Sequence, residues 1–183
     1  MNAVEAIYEG LPIILPTDTV YGLACSPYDP EPVALMYALK GRDASKPTAL
    51  LAGDLDALQA ALPELDRRSV EPYLPGPYTL VVPNLSRHFP WLTGPTPAAI
   101  GVRVPDLPPP AREVLAQVGV VCATSANVAG GPDPRRVDDV PVEIRAACGA
   151  VVDAGELPGV ASTVIDLTGL APRVLREGAR PPQ

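Results

Sequence analysis

The sequence contains one histidine and two lysines among 183 residues. Its three cysteines, Cys25, Cys122 and Cys148, lie far apart and form no C-x-x-C pair. So few histidines and such widely spaced cysteines argue against a structural zinc site. A Ser-His-Asp triad would depend on His88, whose proline-flanked segment favours a surface loop histidine instead. The cysteine pattern predicts buried free thiols and a reducing compartment.

Long apolar runs and a surplus of positive charge are also missing. No run approaches the roughly 18 apolar residues of a membrane helix, and the N-terminal MNAVEAIYEG lacks the basic and then apolar layout of a signal peptide. We therefore expect a cytoplasmic protein that makes no membrane contact. The net charge of −7 argues against a general nucleic-acid-binding surface, because phosphate backbones need a broad basic face. A local basic pocket would still suit a small anion.

The remaining composition is typical of a globular protein, with 47% hydrophobic and 19% charged residues. The length fits one domain covering residues 1–183. Strand and helix patterns alternate early, and strands predominate later. This order predicts an α/β or α+β fold with a mixed sheet covered by helices.

Hydrophobic periodicity and turn signals set the expected element bounds. The predicted helices are 2–9, 32–39, 55–62, 111–118 and 137–147, and a first turn near Pro141 is the alternative start of the last one. The predicted strands are 11–15, 48–52, 78–83, 100–104, 120–123, 150–153, 163–167 and 173–176.

Polar residues follow the first predicted strand in PTDTVYGL, namely Thr17, Asp18, Thr19 and Tyr21. Open α/β sheets place ligands just beyond strand carboxyl ends. An ordinary turn, in which Asp and Thr bond their own backbone, explains the same residues. Both interpretations stay open on this segment alone.

The segment ATSANVAGG repeats the arrangement, with Thr124, Ser125 and Asn127 after another strand. Hydroxyls, an amide and free backbone N–H groups can form an anion-binding nest. A glycine-rich turn is the alternative, and the segment matches neither a Walker loop nor G-x-G-x-x-G.

Both lysines lie in LKGRDASKP, with Arg42 between Lys40 and Lys46. Cations at a helix end complement the helix dipole, so capping is one interpretation. An arginine can also bind a carboxylate or phosphate with two parallel bonds. Ser162 and Arg176 lie at later strand ends, although a lone strand arginine is usually solvated or ion-paired. Together these clusters favour a nucleotide or polyphosphate ligand and chemistry carried by positioning and charge neutralisation.

Several short motifs occur in a fixed order from about residue 3 to residue 180. They are PTDTVYGL, KGR with SKP, PGPYT, RVPD, TSAN, STVIDL and LREG. In this order they resemble the YrdC/Sua5 family, in particular its short single-domain members.

The resemblance implies a YrdC-like fold with a basic cavity and a threonylcarbamoyl-AMP synthase activity. Such an enzyme converts L-threonine, bicarbonate and ATP, with Mg²⁺ and without zinc, to threonylcarbamoyl-adenylate and pyrophosphate. Downstream proteins then transfer the threonylcarbamoyl group to an adenosine of tRNAs that read ANN codons. At most a weak direct contact with tRNA is expected.

The resemblance also implies roles for individual residues. Lys40 and Arg42 would be catalytic, and the ligands of Mg²⁺ stay unassigned, with Asp18 one candidate. The residues expected at threonine and its carbamate are Thr17, Thr19, Tyr21, Arg42 and Ser162. Those expected at ATP are Lys40, Arg42, Lys46, Thr124, Ser125, Asn127 and Arg176.

Two positions depart from the family pattern. Ala129 replaces a usual serine in SANVAG, and Leu107 replaces a frequent histidine in RVPDLP. A lost hydrogen bond of about 0.5–1.5 kcal/mol would weaken ligand binding without abolishing a reaction. The alternatives are a catalytically inactive paralogue that binds nucleotide or RNA, and a carbamoyl-transfer activity. The latter would need zinc-finger and acylphosphatase regions that this sequence does not contain.

Overall fold

The computed structural model describes residues 1–181, which form one mixed sheet with helices on both faces. The helices are α1 (Ala3–Tyr8), α2 (Pro30–Lys40), α3 (Leu55–Ala61), α4 (Arg67–Val70), α5 (Pro109–Val118) and α6 (Val142–Ala147). The strands are β1 (Ile13–Pro16), β2 (Tyr21–Cys25), β3 (Ala49–Ala52), β4 (Tyr78–Pro83), β5 (Ala99–Arg103), β6 (Val120–Ser125), β7 (Ala150–Val151), β8 (Thr163–Asp166) and β9 (Arg173–Arg176). Two 3₁₀ turns cover Pro90–Leu92 and Val137–Asp139.

The sheet has the strand order β7-β1-β2-β6-β3-β5-β4-β8-β9. Strands β1 and β7, β3 and β5, and β4 and β8 pair in parallel, and the other neighbours are antiparallel. The predicted mixed α/β sheet is thereby confirmed. Strand β2 was not predicted, yet it lies between β1 and β6 and places Gly22 opposite Ser125.

The two faces of the sheet carry separate apolar cores, because alternate residues of a strand point to opposite faces. One face buries Ile14, Leu50 and Leu80 against α2, α3, α4 and α6. The other face buries Leu15 and Leu51 against α1 and α5. On this second face the helices cover the half around β1 and β6, and the half around β5, β4 and β8 lines an open groove.

Local sequence signals set most helix ends. Asn2 and Glu5 form a capping box at α1, and the Asp54 carboxylate accepts the Ala57 N–H at the start of α3. Each such cap stabilises its helix by about 1 kcal/mol. The segment 137–147 divides into a 3₁₀ turn and α6, so the start near Pro141 is confirmed and the start at Val137 is wrong. Proline has no N–H to continue a helical hydrogen-bond ladder, so α6 starts only after it.

None of the helices within residues 1–181 is both long and apolar enough to cross a bilayer.

Candidate functional site

A continuous groove runs along the open half of the sheet. Its larger part, the apolar chamber, has a volume of about 560 Å³, and its smaller part, the polar chamber, about 200 Å³. The two chambers share one set of lining residues and are therefore joined. These shared residues are Pro47, Thr48, Ala49, Thr79 and Arg176.

The floor of the groove consists of small strand residues. Gly101 of β5 lies beside Ala49 of β3, and a Cβ at Gly101 would stand 3.6 Å from the Ala49 Cβ. Glycine inside a strand often marks a place where a ligand approaches the backbone. The sequence prediction missed this floor, although the alternate small residues Ala99 and Gly101 of β5 indicated it.

The polar chamber brings together many of the predicted site residues from distant parts of the chain. They are Thr19, Arg42, Thr124, Ser125, Ser162 and Arg176. Thr79, Arg103 and Asp133 also line this chamber and were given no role from the sequence. Three guanidinium groups therefore surround one small polar space, which suits an anionic ligand.

Arg42 follows the left-handed Gly41 that ends α2. Its Nη2 donates to the Pro47 carbonyl over 2.7 Å, and its guanidinium lies 5.7 Å from the centre of the Tyr37 ring. Its buried Nε donates to no acceptor within residues 1–181. Arg42 is thus fixed in place in the lining of the polar chamber.

A second cluster joins β4, β8 and β9 at the opposite wall. The hydroxyls of Ser162 and Thr79 lie 2.7 Å apart, and Arg176 Nη2 donates to the Ser162 carbonyl over 2.8 Å. Ser162 is buried and Arg176 remains exposed. The exposed guanidinium of Arg176 thus faces both chambers from the last strand of the sheet.

Arg103 and Asp18 form the most deeply held ion pair of the groove. Arg103 Nη2 lies 2.9 Å from Asp18 Oδ1, and the two side chains are only 13% and 11% exposed. Burial raises the pKa of Asp18, although Arg103 opposes this change, and burial lowers the pKa of Arg103. The signal missed in the sequence was a charged residue at the end of an otherwise apolar strand, IGVR.

A small recess opens beneath the polar chamber, with a volume of about 40 Å³. Val20, Gly22 and Ala123 form its apolar part, and Thr17, Arg103, Thr124 and Ser125 line the rest. The Thr17 hydroxyl donates to the Val20 carbonyl over 2.8 Å. Since one water needs about 10–15 Å³ of such space, the recess holds about three atoms.

Lys40 is buried and points to the loop 125–131, outside the residues that line the groove. Its Nζ donates to the carbonyl oxygens of Ser125 and Asn127 and to Asn127 Oδ1, over 2.5, 2.7 and 2.7 Å. Burial lowers the pKa of Lys40 to about 8, with a further lowering by Arg42, while Asp133 opposes both. Asn127 also lies behind the loop rather than in the chamber lining, and its Nδ2 donates to the Gly131 carbonyl.

Tyr21 and Lys46 are not brought into the groove. The Tyr21 side chain lies in the core of the opposite face, where its hydroxyl donates to Asp153 Oδ1 and lies 2.7 Å from the Gly155 carbonyl oxygen. Burial raises the pKa of Tyr21 to about 12. Lys46 is exposed, and its carbonyl accepts the Tyr37 hydroxyl.

The carboxylates near the groove do not form a metal centre of their own. Within residues 1–181, no three His, Cys, Asp or Glu side chains are grouped so as to hold a metal ion. The Asp18 carboxylate is engaged by Arg103 and by the Asp106 N–H. Asp133 is the carboxylate that lines the polar chamber.

Known proteins resemble this chain in sequence and in fold. A family model for Sua5/YciO/YrdC domains, described as telomere recombination, matches residues 5–178. Threonylcarbamoyl-AMP synthase of Chromohalobacter salexigens is 39% identical over 173 residues, which cover 91% of each chain. Escherichia coli YciO superposes with a TM-score of 0.78 at 26% identity, over 96% of this chain and 87% of that one.

Pyrococcus abyssi Sua5, solved in complex with L-threonine, superposes with a TM-score of 0.85 at 31% identity. The match covers 96% of this chain and 53% of the archaeal chain, so this protein spans about half the length of that relative. The motifs, the fold and these matches lead to one assignment: the chain belongs to the Sua5/YciO/YrdC family.

Proposed function

We propose that this protein is an L-threonylcarbamoyladenylate synthase, a nucleotidyltransferase that acts on L-threonine, bicarbonate and ATP. The observation that supports this function best is the joined pair of chambers, one apolar and one lined by three arginines. Relatives that match nearly the whole chain carry the name threonylcarbamoyl-AMP synthase. The Sua5 relative that binds L-threonine has the same fold.

The apolar chamber is suited to the base and ribose of ATP. Its floor of Gly101 and Ala49 is flat, and Val81 and Val164 add apolar contacts. A purine ring can approach such a floor closely because no large side chain rises from it. The triphosphate then lies at the junction of the chambers, next to Arg42 and Arg176.

The polar chamber is suited to threonine and its carbamate. The Arg103–Asp18 pair at its base offers a fixed cation for a carboxylate, with one buried Nε still unbonded within residues 1–181. The recess at Gly22 and Ala123 has room for the few side-chain atoms of threonine. Its mixture of hydroxyl and apolar lining matches a side chain with one hydroxyl and one methyl group.

The reaction needs positioning more than a nucleophilic side chain. The threonine amine and bicarbonate give a carbamate and water, and one carbamate oxygen attacks the α-phosphorus of ATP. A new P–O bond forms as the bond to the β-phosphate oxygen breaks, and pyrophosphate leaves with that electron pair. Fixed cations lower the cost of bringing two anions together and of the charge that develops on the leaving group.

Magnesium enters as part of the nucleotide substrate. Mg²⁺ keeps several waters and is commonly held by phosphates and one or two carboxylates. Asp133 is the chamber residue that fits this role, because its carboxylate lies beside the proposed phosphate position. Asp18 fits it less well, since both of its carboxylate oxygens are bonded to the protein.

The product is an activated acyl-adenylate that a second class of protein consumes. We assign this consumption to tRNA threonylcarbamoyl-transfer proteins that modify an adenosine of tRNAs reading ANN codons. The net charge of −7 supports at most a weak direct contact of this chain with tRNA, because stable binding needs a broad basic surface. We place the enzyme in the cytoplasm, where these substrates and partners meet.

Pyrophosphate release tests the proposed activity. Purified protein with bicarbonate and Mg-ATP should release pyrophosphate when L-threonine is present and not when it is omitted. Threonine-independent release would indicate hydrolysis of ATP to AMP and pyrophosphate, and no release despite ATP binding would support the inactive paralogue. Arg42→Ala should lose the threonine-dependent rate while the thermal unfolding temperature stays close to that of the parent protein.

A further inference from the structure

All three hydrogens of the Lys40 ammonium group are used by the loop 125–131. Two go to main-chain carbonyls, of Ser125 and Asn127, and the third goes to Asn127 Oδ1. An ammonium group has three donors and no acceptor. In this geometry Lys40 has no hydrogen left for a phosphate oxygen.

The loop also donates a hydrogen bond back to α2. The Ala129 N–H donates to the Lys40 carbonyl over 2.9 Å. Within the loop, the Ser125 hydroxyl donates to Asn127 Oδ1, and Asn127 Nδ2 donates to the Gly131 carbonyl, each over 2.6 Å. Lys40 and Asn127 together therefore set the path of residues that are 85 or more positions away from Lys40 in the sequence.

This path leaves main-chain donors available on the loop. Within residues 1–181 the N–H groups of Asn127, Val128 and Gly130 donate to no protein acceptor. A trans peptide directs its C=O and N–H to opposite sides. Since the Asn127 carbonyl points to Lys40, the Val128 N–H points away from it. Consecutive free N–H groups of this kind bind phosphate oxygens.

We propose that Lys40 is a positioning residue that acts on the ATP phosphates only through the loop 125–131 and does not touch them. This assignment rests on the proposed function, because it concerns the loop that would hold the triphosphate. It replaces the direct phosphate contact expected for Lys40 from the sequence. Ser125, the residue of this loop that lines the polar chamber, is then the one that meets the nucleotide.

The presence of only two lysines makes a direct test on the parent protein practical. Protein labelled with ¹⁵N-lysine gives two ammonium signals, which a K46R variant assigns. The Lys40 signal should be visible without nucleotide, because its hydrogens are buried and bonded. It should persist when a non-hydrolysable Mg-ATP analogue binds, without coupling to ³¹P. A Lys40 signal that appears only with nucleotide, or that couples to phosphorus, would overturn the assignment.

A double-mutant cycle measures whether Lys40 acts through Asn127. K40M and N127A should each lower kcat/KM for ATP by about tenfold to a hundredfold, as expected for loss of buried hydrogen bonds. The kcat/KM of the double variant should lie within about twofold of that of the less active single variant, because both changes release the same loop. Effects that multiply would show that Lys40 contacts the substrate independently.

Amide hydrogen exchange of the ligand-free protein adds a readout that does not involve the reaction. K40M should speed exchange of the Ala129 and Gly131 amides, which are the hydrogen-bonded amides of the segment 127–131, whereas R68M, which removes an exposed cation on α4, should not. Unchanged loop exchange in K40M would overturn the positioning role. Failure of any nucleotide to bind would overturn the proposed function instead, and the ligand-free lysine signal and loop exchange would still decide the role of Lys40.

Discussion

The absence of a side chain at Gly22 keeps the recess beneath the polar chamber open. A Cβ built at this position would lie 3.4 Å from the Thr124 carbonyl oxygen, 3.6 Å from the Leu15 carbonyl oxygen and 3.9 Å from the Ala123 Cβ. These are ordinary contacts, so alanine fits the fold but takes space in the recess. A substitution of Gly22 by alanine should therefore change substrate selection without a large change in the stability of the fold.

Gly22→Ala should raise KM for threonine by about tenfold or more, since one methyl group in a small pocket is worth about 1–3 kcal/mol. The kcat/KM for serine, which lacks the methyl group, should fall less than that for threonine. The threonine-to-serine ratio of kcat/KM should therefore decrease. Steady-state pyrophosphate release with both amino acids measures this ratio. The KM for ATP serves as the internal control and should stay unchanged. An unaltered ratio would place the threonine side chain elsewhere.

The protonation state of Lys40 should make ATP binding weaker at alkaline pH. The pKa of Lys40 is lowered to about 8 by burial, and a neutral amine retains only two of the three N–H donors that hold the loop. We expect KM for ATP to rise as the pH increases through about 8. Lys40→Arg stays charged throughout this range, so its KM for ATP should be higher but nearly independent of pH.

The stability of the fold should move in the opposite direction to this activity loss. Because the folded pKa of Lys40 lies below its ordinary value of 10.5, the unfolded chain binds this proton more tightly. The contribution of Lys40 to the free energy of unfolding is therefore smallest below pH 8 and rises between about pH 8 and 10.5. An activity loss in that range that coincides with unfolding would contradict the local explanation.

At the level of elements, β5 separates structural and ligand-binding roles by simple alternation. Ile100 and Val102 point into the core, whereas Gly101 and Arg103 line the groove. The same strand therefore carries both the floor proposed for the base and the cation proposed for the amino acid. A substitution at Gly101 should affect one chamber and not the other.

Gly101→Val should raise KM for ATP by about tenfold, because the added side chain displaces the base from the floor at a cost of about 1–3 kcal/mol. Gly101→Ala should give a smaller change in the same direction. The KM for threonine, measured at saturating ATP, should change little in both variants. Equal effects on the two substrates would indicate distortion of β5 rather than a filled floor.

Periodicity predicted most elements of this fold within a few residues, including β4 and β9 with their observed bounds. It missed β2, whose sequence YGLAC has small residues at two of its five positions and follows β1 closely. It also joined the 3₁₀ turn at Val137–Asp139 to α6. In both places a tight connection between two elements interrupted the hydrophobic periodicity that a longer element would have shown.

The site residues were likewise only partly predictable from the sequence. Motif order identified Thr19, Arg42, Ser125 and Arg176, which the fold does bring into one chamber. The sequence could not show that the Lys40 side chain turns away from the groove, since that direction depends on contacts with a loop 85 or more positions later. The pairing of Arg103 with Asp18 likewise depends on strand order rather than on local sequence.

At the scale of the whole molecule, the reactivity of the three thiols measures how well the core excludes solvent. Cys25 and Cys122 face each other across β2 and β6 with their sulfur atoms 3.3 Å apart, and both are fully buried. Burial raises the pKa of Cys148 to about 11, and hydrogen bonding with Cys122 together with burial raises that of Cys25. Reactivity requires the thiolate, so the native protein should react slowly with thiol reagents.

A thiol titration with a chromophoric disulfide should show at most one slowly reacting group in the native protein, Cys148, and three in denaturant. The matched variant Cys148→Ser should show none in the native state over the same period. Rapid reaction of Cys25 or Cys122 would mean that the sheet opens between β2 and β6. The measurement thus monitors the integrity of the fold independently of activity.

The groove takes its lining from Thr19 near the start of the chain and from Arg176 near its end. The site therefore forms only after the chain has been synthesised through β9, and a nascent chain that has released only β1 to β6 should release no pyrophosphate. A single protease cut in the turn between β8 and β9 would likewise separate Arg176 from the other cations. The rate of pyrophosphate release should therefore follow the fraction of chains that are uncut between Thr19 and Arg176.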